Sequence, residues 1–162
     1  MKKESRSPAT VHYDGSNYDP SESIGFLLSR VKLVMVASLD ADLESLDITG
    51  AQWAVLMRIA HGCGKTAADL CRDGSYDTGS MTRMIDRLEE KGFIHRERST
   101  EDRRVVQLAL TDQGEALLPE LRKIGAKMLN RHLKDFTAAD VQKLKDLLRR
   151  MLANGTDSAD GA

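Results

Sequence analysis

The stretch from Asp77 to Arg104, DTGSMTRMIDRLEEKGFIHRERSTEDRR, concentrates the side chains best suited to recognition chemistry. Thr78, Ser80, Thr82 and Arg83 lie close together, and Arg87 follows one helical turn later. Short hydroxyls and long guanidinium groups are the side chains that reach base edges and phosphates. Arg103 and Arg104 follow beside Asp102 at the end of a polar segment. The chemistry implied is non-covalent recognition of an anionic polymer, not bond making. The chain has four histidines (12, 61, 95 and 132) and two cysteines (63 and 71), and none pairs with another at a catalytic spacing. His61 and Cys63 are close, but Cys71 would have to bend back to complete a metal set. No enzyme activity, metal or cofactor is expected. Gly64-Lys65-Thr66 resembles the end of a phosphate-binding loop. That loop needs a glycine five positions before Gly64, where Ile59 stands, and a preceding strand, where the pattern is helical.

These groups need elements to hold them. Met81, Met84, Ile85 and Leu88 fall at i, i+3, i+4 and i+7, so the segment after Asp77 is an amphipathic helix. Asp77 can cap its start and Gly92 can stop it. Phe93 to Arg98 alternates as a strand, Ser99 to Arg104 is a polar turn, and Val105 to Leu110 is a second strand. Upstream, Thr49-Gly-Ala-Gln52 is a capping box opening a helix whose inner face is Trp53, Leu56, Met57 and Ala60. That helix ends at His61-Gly-Cys-Gly64. Thr66-Ala-Ala-Asp69 opens a short helix through Leu70 and Cys71, and Asp73-Gly-Ser75 makes a tight turn. Two short helices joined by a Gly-containing turn, followed by a two-stranded ribbon, form a winged helix-turn-helix over residues 47–111.

The remaining chain is longer than that unit needs. Ser23 to about Leu46 is a long helix with a broad apolar face of Ile24, Leu27, Leu28, Val31, Val34, Met35 and Leu39. Thr111 caps another, whose stripe runs from Leu117 through Leu133 to Phe136, with a bend expected at Pro119. Thr137-Ala-Ala-Asp140 opens a last helix carrying Val141, Leu144, Leu147, Leu148 and Met151. The economical use of residues 21–46 and 112–152 is a two-fold dimerisation domain. Residues 1–20 read as a flexible arm, able to pack on a partner through Tyr13 and Tyr18, and 153–162 as a disordered tail. The fold class is mainly α (α+β).

Composition sets the outer bounds. The 162 residues are 41% hydrophobic and 30% charged, which suits one globular helical subunit. No apolar run is long enough to span a bilayer, and MKKESRSP lacks the apolar core of a signal peptide, so a cytoplasmic protein is expected. The net charge of −1 excludes coating nucleic acid by bulk charge. Met81 to Arg104 holds seven Lys/Arg and six Asp/Glu, so any basic face must arise from placement on the fold. The two cysteines are read as unpaired thiols in a reducing compartment.

Three stretches resemble the MarR family of bacterial transcriptional regulators: Met81 to Ile94, Ser99 to Arg104, and Leu110-Thr-Asp-Gln-Gly114. Their order and spacing also match, over about residues 23–152. The resemblance implies a triangular homodimer whose winged lobes read adjacent major grooves of a pseudo-palindrome in double-stranded DNA. By position, Thr78, Ser80, Thr82, Arg83 and Arg87 would touch DNA. Arg103 and Arg104 would sit at the wing tip, with Arg104 suited to the minor groove, and Asp102 would orient them by an ion pair. The plain alternatives are a solvated turn for Asp102 to Arg104 and, for Arg83, a surface ion pair with Asp86 or Glu90. Family members commonly bind small aromatic acids between the dimer domain and the winged lobe. Here Ser21, Ser23, Arg30, Trp53, Met57, Arg58 and His61 would line such a pocket and suit a phenolic or aromatic carboxylate. Trp53 as plain core and His61 as a helix-end cap are the competing readings. The function expected is a ligand-released repressor. The alternatives are a redox- or metal-responsive repressor using Cys63, Cys71 or His61, and a winged-helix module for protein contact.

Overall fold

The computed structural model describes residues 11–72, 76–99, 102 and 104–157. The elements run α1 (Ile24–Leu43), α2 (Gly50–Ala60), α3 (Ala67–Arg72), α4 (Thr78–Glu90), β1 (Ile94–Arg98), β2 (Val106–Leu110), α5 (Asp112–His132) and α6 (Ala138–Asp157). Short 3-10 turns at Pro20–Glu22 and Glu44–Leu46 flank α1.

Helix starts follow the capping chemistry of the sequence. Ser23 accepts the amide of Phe26, and Asp77 that of Ser80. Thr49 and Gln52 form both halves of a capping box. Gly92 follows α4 at φ 73°, the left-handed position that ends many helices. The long first helix is α-helical only to Leu43. It then tightens into the 3-10 turn, and Asp47 takes φ 52°. Lys91 straps that strained residue, pairing with its carboxylate at 2.8 Å and donating to its carbonyl, so the end of α4 is tied to the entrance of α2.

β1 and β2 pair antiparallel, from Ile94 with Leu110 to Arg98 with Val106. The Leu108 amide also donates to the Lys65 carbonyl at 2.8 Å, which pins the ribbon to the α2–α3 connection. One apolar core joins Leu39 and Leu43 of α1, Val55 and Leu56 of α2, Leu70 of α3, Met81, Ile85 and Leu88 of α4, Ile94, Leu108, and Leu118, Leu121, Ile124 and Met128 of α5. The Trp53 indole N–H donates to the Leu121 carbonyl at 2.9 Å. Arg131 and Lys127 of α5 both reach Asp42 of α1, at 2.9 and 3.5 Å.

The expected disordered tail needs correction. α6 runs to Asp157, so residues 153–157 of the expected disordered tail are helical; 158–162 lie outside the described residues. α5 continues through Pro119, because that residue is exposed and the backbone bond it forfeits falls on the solvent side. Tyr13 and Tyr18 pack edge to face at 6.0 Å, and the Tyr13 hydroxyl accepts the Ile24 amide at 3.4 Å. This part of the arm therefore rests on its own chain. Residues 1–10 and the turn at Asp73-Gly-Ser75 lie outside the described residues.

Gly114 packs directly beneath the wing. A Cβ there would overlap the backbone carbonyl oxygen of Phe93, which cannot rotate away. Gly114→Ala is expected to destabilise the fold by about 1–3 kcal/mol or more. Gly155→Ala, where nothing lies within 4 Å, is expected to be neutral or slightly stabilising. Chemical denaturation of the two variants measures the contrast.

Candidate nucleic-acid interface

α4 divides its surface cleanly. Met81, Ile85 and Leu88 are buried, while Thr78, Thr82, Arg83 and Arg87 are exposed and Ser80 is half-buried. The first turn is locally ordered. The Ser80 hydroxyl donates to Asp77 at 2.6 Å, the Thr82 hydroxyl to the Thr78 carbonyl at 2.8 Å, and Arg83 to the Ser80 oxygen at 3.4 Å. Among the described residues Arg83 has no carboxylate partner, and the Arg87 guanidinium makes no ion pair. The surface-pair alternative for Arg83 fails because Asp86 is held by Arg96, at 2.6 Å. Arg83 and Arg87 share a cleft of about 230 Å³ with Thr49 and Gln52 of the α2 capping box.

At the wing tip, Asp102 accepts the backbone amide of Arg104 at 2.9 Å and makes no ion pair with its guanidinium. Toward Arg104 the turn fixes the backbone and leaves the exposed side chain without a carboxylate partner, while an Asp102–Arg103 pair falls outside the described residues. Arg103 lies outside the described residues.

A second feature is a cavity of about 1030 Å³ between α1 and α2, reaching Tyr76 and Met81 at α4 and Met128 of α5. Of the residues expected there, Trp53 and Arg58 line it. Ser21, Ser23, Arg30, Met57 and His61 do not. Ser21 and Ser23 precede α1, whereas the cavity opens along the helix from Leu28 onward. Arg30 lies on the opposite face of α1, and Met57 packs on the core. His61 closes α2, its Nδ1 2.7 Å from the Met57 carbonyl. Arg58 reaches across to α3, donating to the Leu70 carbonyl at 2.9 Å and the Asp69 carbonyl at 2.8 Å. Sequence reasoning missed Lys32, Met35 and Tyr76 as lining residues. Helical phase could have found the first two, but only the packed fold brings Tyr76 there.

Cys63 is exposed, Cys71 is half-buried, and both are free thiols. Among the described residues no group of three or more His, Cys, Asp or Glu side chains could hold a metal ion, and no helix is long and apolar enough to cross a membrane.

A helix that turns unpaired arginines outward, backed by two short helices and flanked by a two-stranded ribbon, is how a winged helix-turn-helix DNA-binding protein presents itself to a groove. Comparison with known proteins narrows the class. Residues 48–106 match the MarR family. The chain is 35% identical over 130 residues to the multiple antibiotic resistance protein MarR of Escherichia coli (strain K12), covering 80% of this chain and 90% of that one. The chain belongs to the MarR family of transcriptional regulators and is not an enzyme. Its structure resembles a cysteine-to-serine mutant of E. coli MarR complexed with operator DNA, with TM-score 0.71, 33% identity, and coverage of 83% of this chain and 99% of that one. It also resembles Bordetella bronchiseptica BpsR, whose DNA binding is regulated by 6-hydroxynicotinic acid, with TM-score 0.72, 25% identity, and coverage of 83% and 96%.

The Asp77 cap carries a pH signature. Hydrogen bonds from the Ser80 hydroxyl, then from the Ser80 amide, hold its carboxyl below the usual carboxylate range. A folded pKa below the unfolded one contributes stability that is complete above the ordinary value of about 4 and is lost as pH falls through the lowered value. The stability advantage of wild type over Asp77→Asn is therefore expected to shrink on acidification below about pH 4. Denaturation curves of both proteins across that range test this.

Proposed function

We propose that the protein is a cytoplasmic, homodimeric repressor that binds a pseudo-palindromic operator through α4 and the wing, and that a small aromatic ligand releases it. The observation that carries the DNA reading is the pair Arg83 and Arg87, exposed on α4 without carboxylate partners. Thr78, Ser80 and Thr82 would add hydroxyl contacts, and Arg104 and Arg103 would approach the minor groove or backbone from the wing. The operator complex of the E. coli relative supports this use of the fold.

The dimer reading rests on uncovered apolar surface. Among its described side chains α6 buries none and exposes Leu144, Leu147 and Met151, while α1 exposes Ile24, Phe26, Leu27 and Val31. A second copy of these two ends would bury both faces and set the spacing of two lobes.

The ligand reading rests on the α1–α2 cavity, with Trp53 and Tyr76 as aromatic walls and Lys32 and Arg58 as cations. A carboxylate drawn to Arg58 would compete with the α3 carbonyls that this guanidinium holds. Occupancy would then bear on α3, and through it on α4. Such a ligand shifts the equilibrium only by its differential affinity for the released state. BpsR, whose DNA binding responds to a hydroxylated aromatic carboxylate, supports the chemical class.

A gel-shift titration against the gene's own upstream region tests the reading. Tight, salt-sensitive binding that an aromatic carboxylate weakens is expected; no binding at low salt would refute it. Arg83→Ala should lower affinity about tenfold, in line with the loss of one good base or phosphate contact. Arg104→Ala should reduce the slope of log K against log salt by about one. In sedimentation, Leu147→Glu with Met151→Glu should convert a dimer to monomers, whereas an unchanged species would place the interface elsewhere.

A further inference from the structure

Arg96 looks in the sequence like another wing cation, next to His95 and two residues before Arg98. The structure gives it a different setting. Its guanidinium turns back onto α4, with Nη2 2.6 Å from Asp86 and Nη1 on Glu89. Its own backbone amide donates to the other oxygen of Glu89 at 3.2 Å. The Glu89 carboxylate thus grips the strand by side chain and main chain together, while the same guanidinium holds the next acidic residue one turn earlier. Planar, two-pronged donation of this kind suits arginine and not lysine.

The location makes this bridge matter. Asp86 lies three residues from Arg83, the spacing at which helix side chains pair. Glu89 lies on the following turn, on the side of α4 that faces the wing. Without a partner, these carboxylates would add negative charge near DNA phosphates, and Asp86 would compete for Arg83. Exposed ion pairs add little to global stability, so a stability role alone does not account for a guanidinium serving two carboxylates on two elements.

We infer that Arg96 is a positioning residue for DNA recognition: by bridging Asp86 and Glu89 it sets the wing against α4 and leaves Arg83 free, without itself meeting DNA. The inference rests on the reading of α4 and the wing as the DNA-binding surface. It adds a cation that serves recognition while facing the protein.

The test compares Arg96→Ala and Arg96→Lys, each alone and combined with Asp86→Asn plus Glu89→Gln. Affinity is read by fluorescence anisotropy, folding by thermal melts, and wing order by hydrogen exchange. Both single substitutions are expected to lower affinity about tenfold, roughly one lost charge-assisted contact, with little change in melting temperature. In the neutralised background Arg96→Ala should cost almost nothing, because no carboxylates remain to be held. Wild-type affinity in Arg96→Lys, or a full loss persisting in the neutralised background, would mean that Arg96 meets DNA as a charge and would overturn the inference. A loss of affinity matched by a large fall in melting temperature would make it merely structural and overturn it too. Exchange separates this inference from its parent reading. Glu97 and Gln107 amides, which face each other across the ribbon, should lose protection in Arg96→Ala while Leu121 keeps it, and this holds or fails even if the wild type binds no DNA. Unchanged wing protection would refute the positioning role.

Discussion

The structure turns on one close approach, where Gly114 at the start of α5 lies against the carbonyl of Phe93. Thr111 completes the joint. Its hydroxyl accepts the Gly114 amide at 3.0 Å and donates to the Gly92 carbonyl at 2.5 Å, while its own amide donates to the Phe93 carbonyl at 3.1 Å. Three elements meet there: the end of α4, the first strand of the wing, and the long helix that leaves the winged unit. Only a residue without a side chain permits that distance. The angle between the recognition surface and α5 therefore depends on backbone contact, which flexes little.

From that joint outward, charge is distributed by assignment more than by amount. α4 and the wing hold nearly balanced numbers of acids and bases, and the fold sorts them. Arg96 is spent on Asp86 and Glu89, and Lys91 on Asp47. Arg83, Arg87 and Arg104 are left facing solvent. A chain of net charge −1 can thereby present a locally cationic surface.

The α1–α2 cavity stands on the other side of the same framework. Trp53 forms part of its wall and is also anchored to α5 through the Leu121 carbonyl, while Gly125 lies so close that a Cβ would come within 2.7 Å of the indole. Trp53 is thus both core and cavity wall, so the two readings open at the sequence level are compatible. Arg58 also serves two surroundings, lining the cavity and tying down the end of α3. Contact between cavity and recognition unit passes through packed, hydrogen-bonded residues, which is the physical requirement for coupling.

Much of the fold was legible because its signals are local. Capping residues, the apolar period of α4, the alternation of the strands and the Gly92 stop depend on neighbours within a few positions, and the structure reproduces them within a residue or two. The unpaired state of Arg83 was not legible, because it depends on Arg96 reaching across from a strand to claim Asp86. Nor was the membership of the cavity: Arg30 and His61 have suitable chemistry but face elsewhere, and Tyr76 enters only through packing. Toward Arg104, Asp102 makes a backbone bond and no ion pair, since turn geometry offers its carboxylate that amide first. Sequence alone therefore determined which elements form, in what order, and which side chains could recognise DNA, because helix, strand and turn propensities are short-range. Tertiary structure alone decided which charges are cancelled and which remain free, because that depends on contacts between residues that only packing brings together.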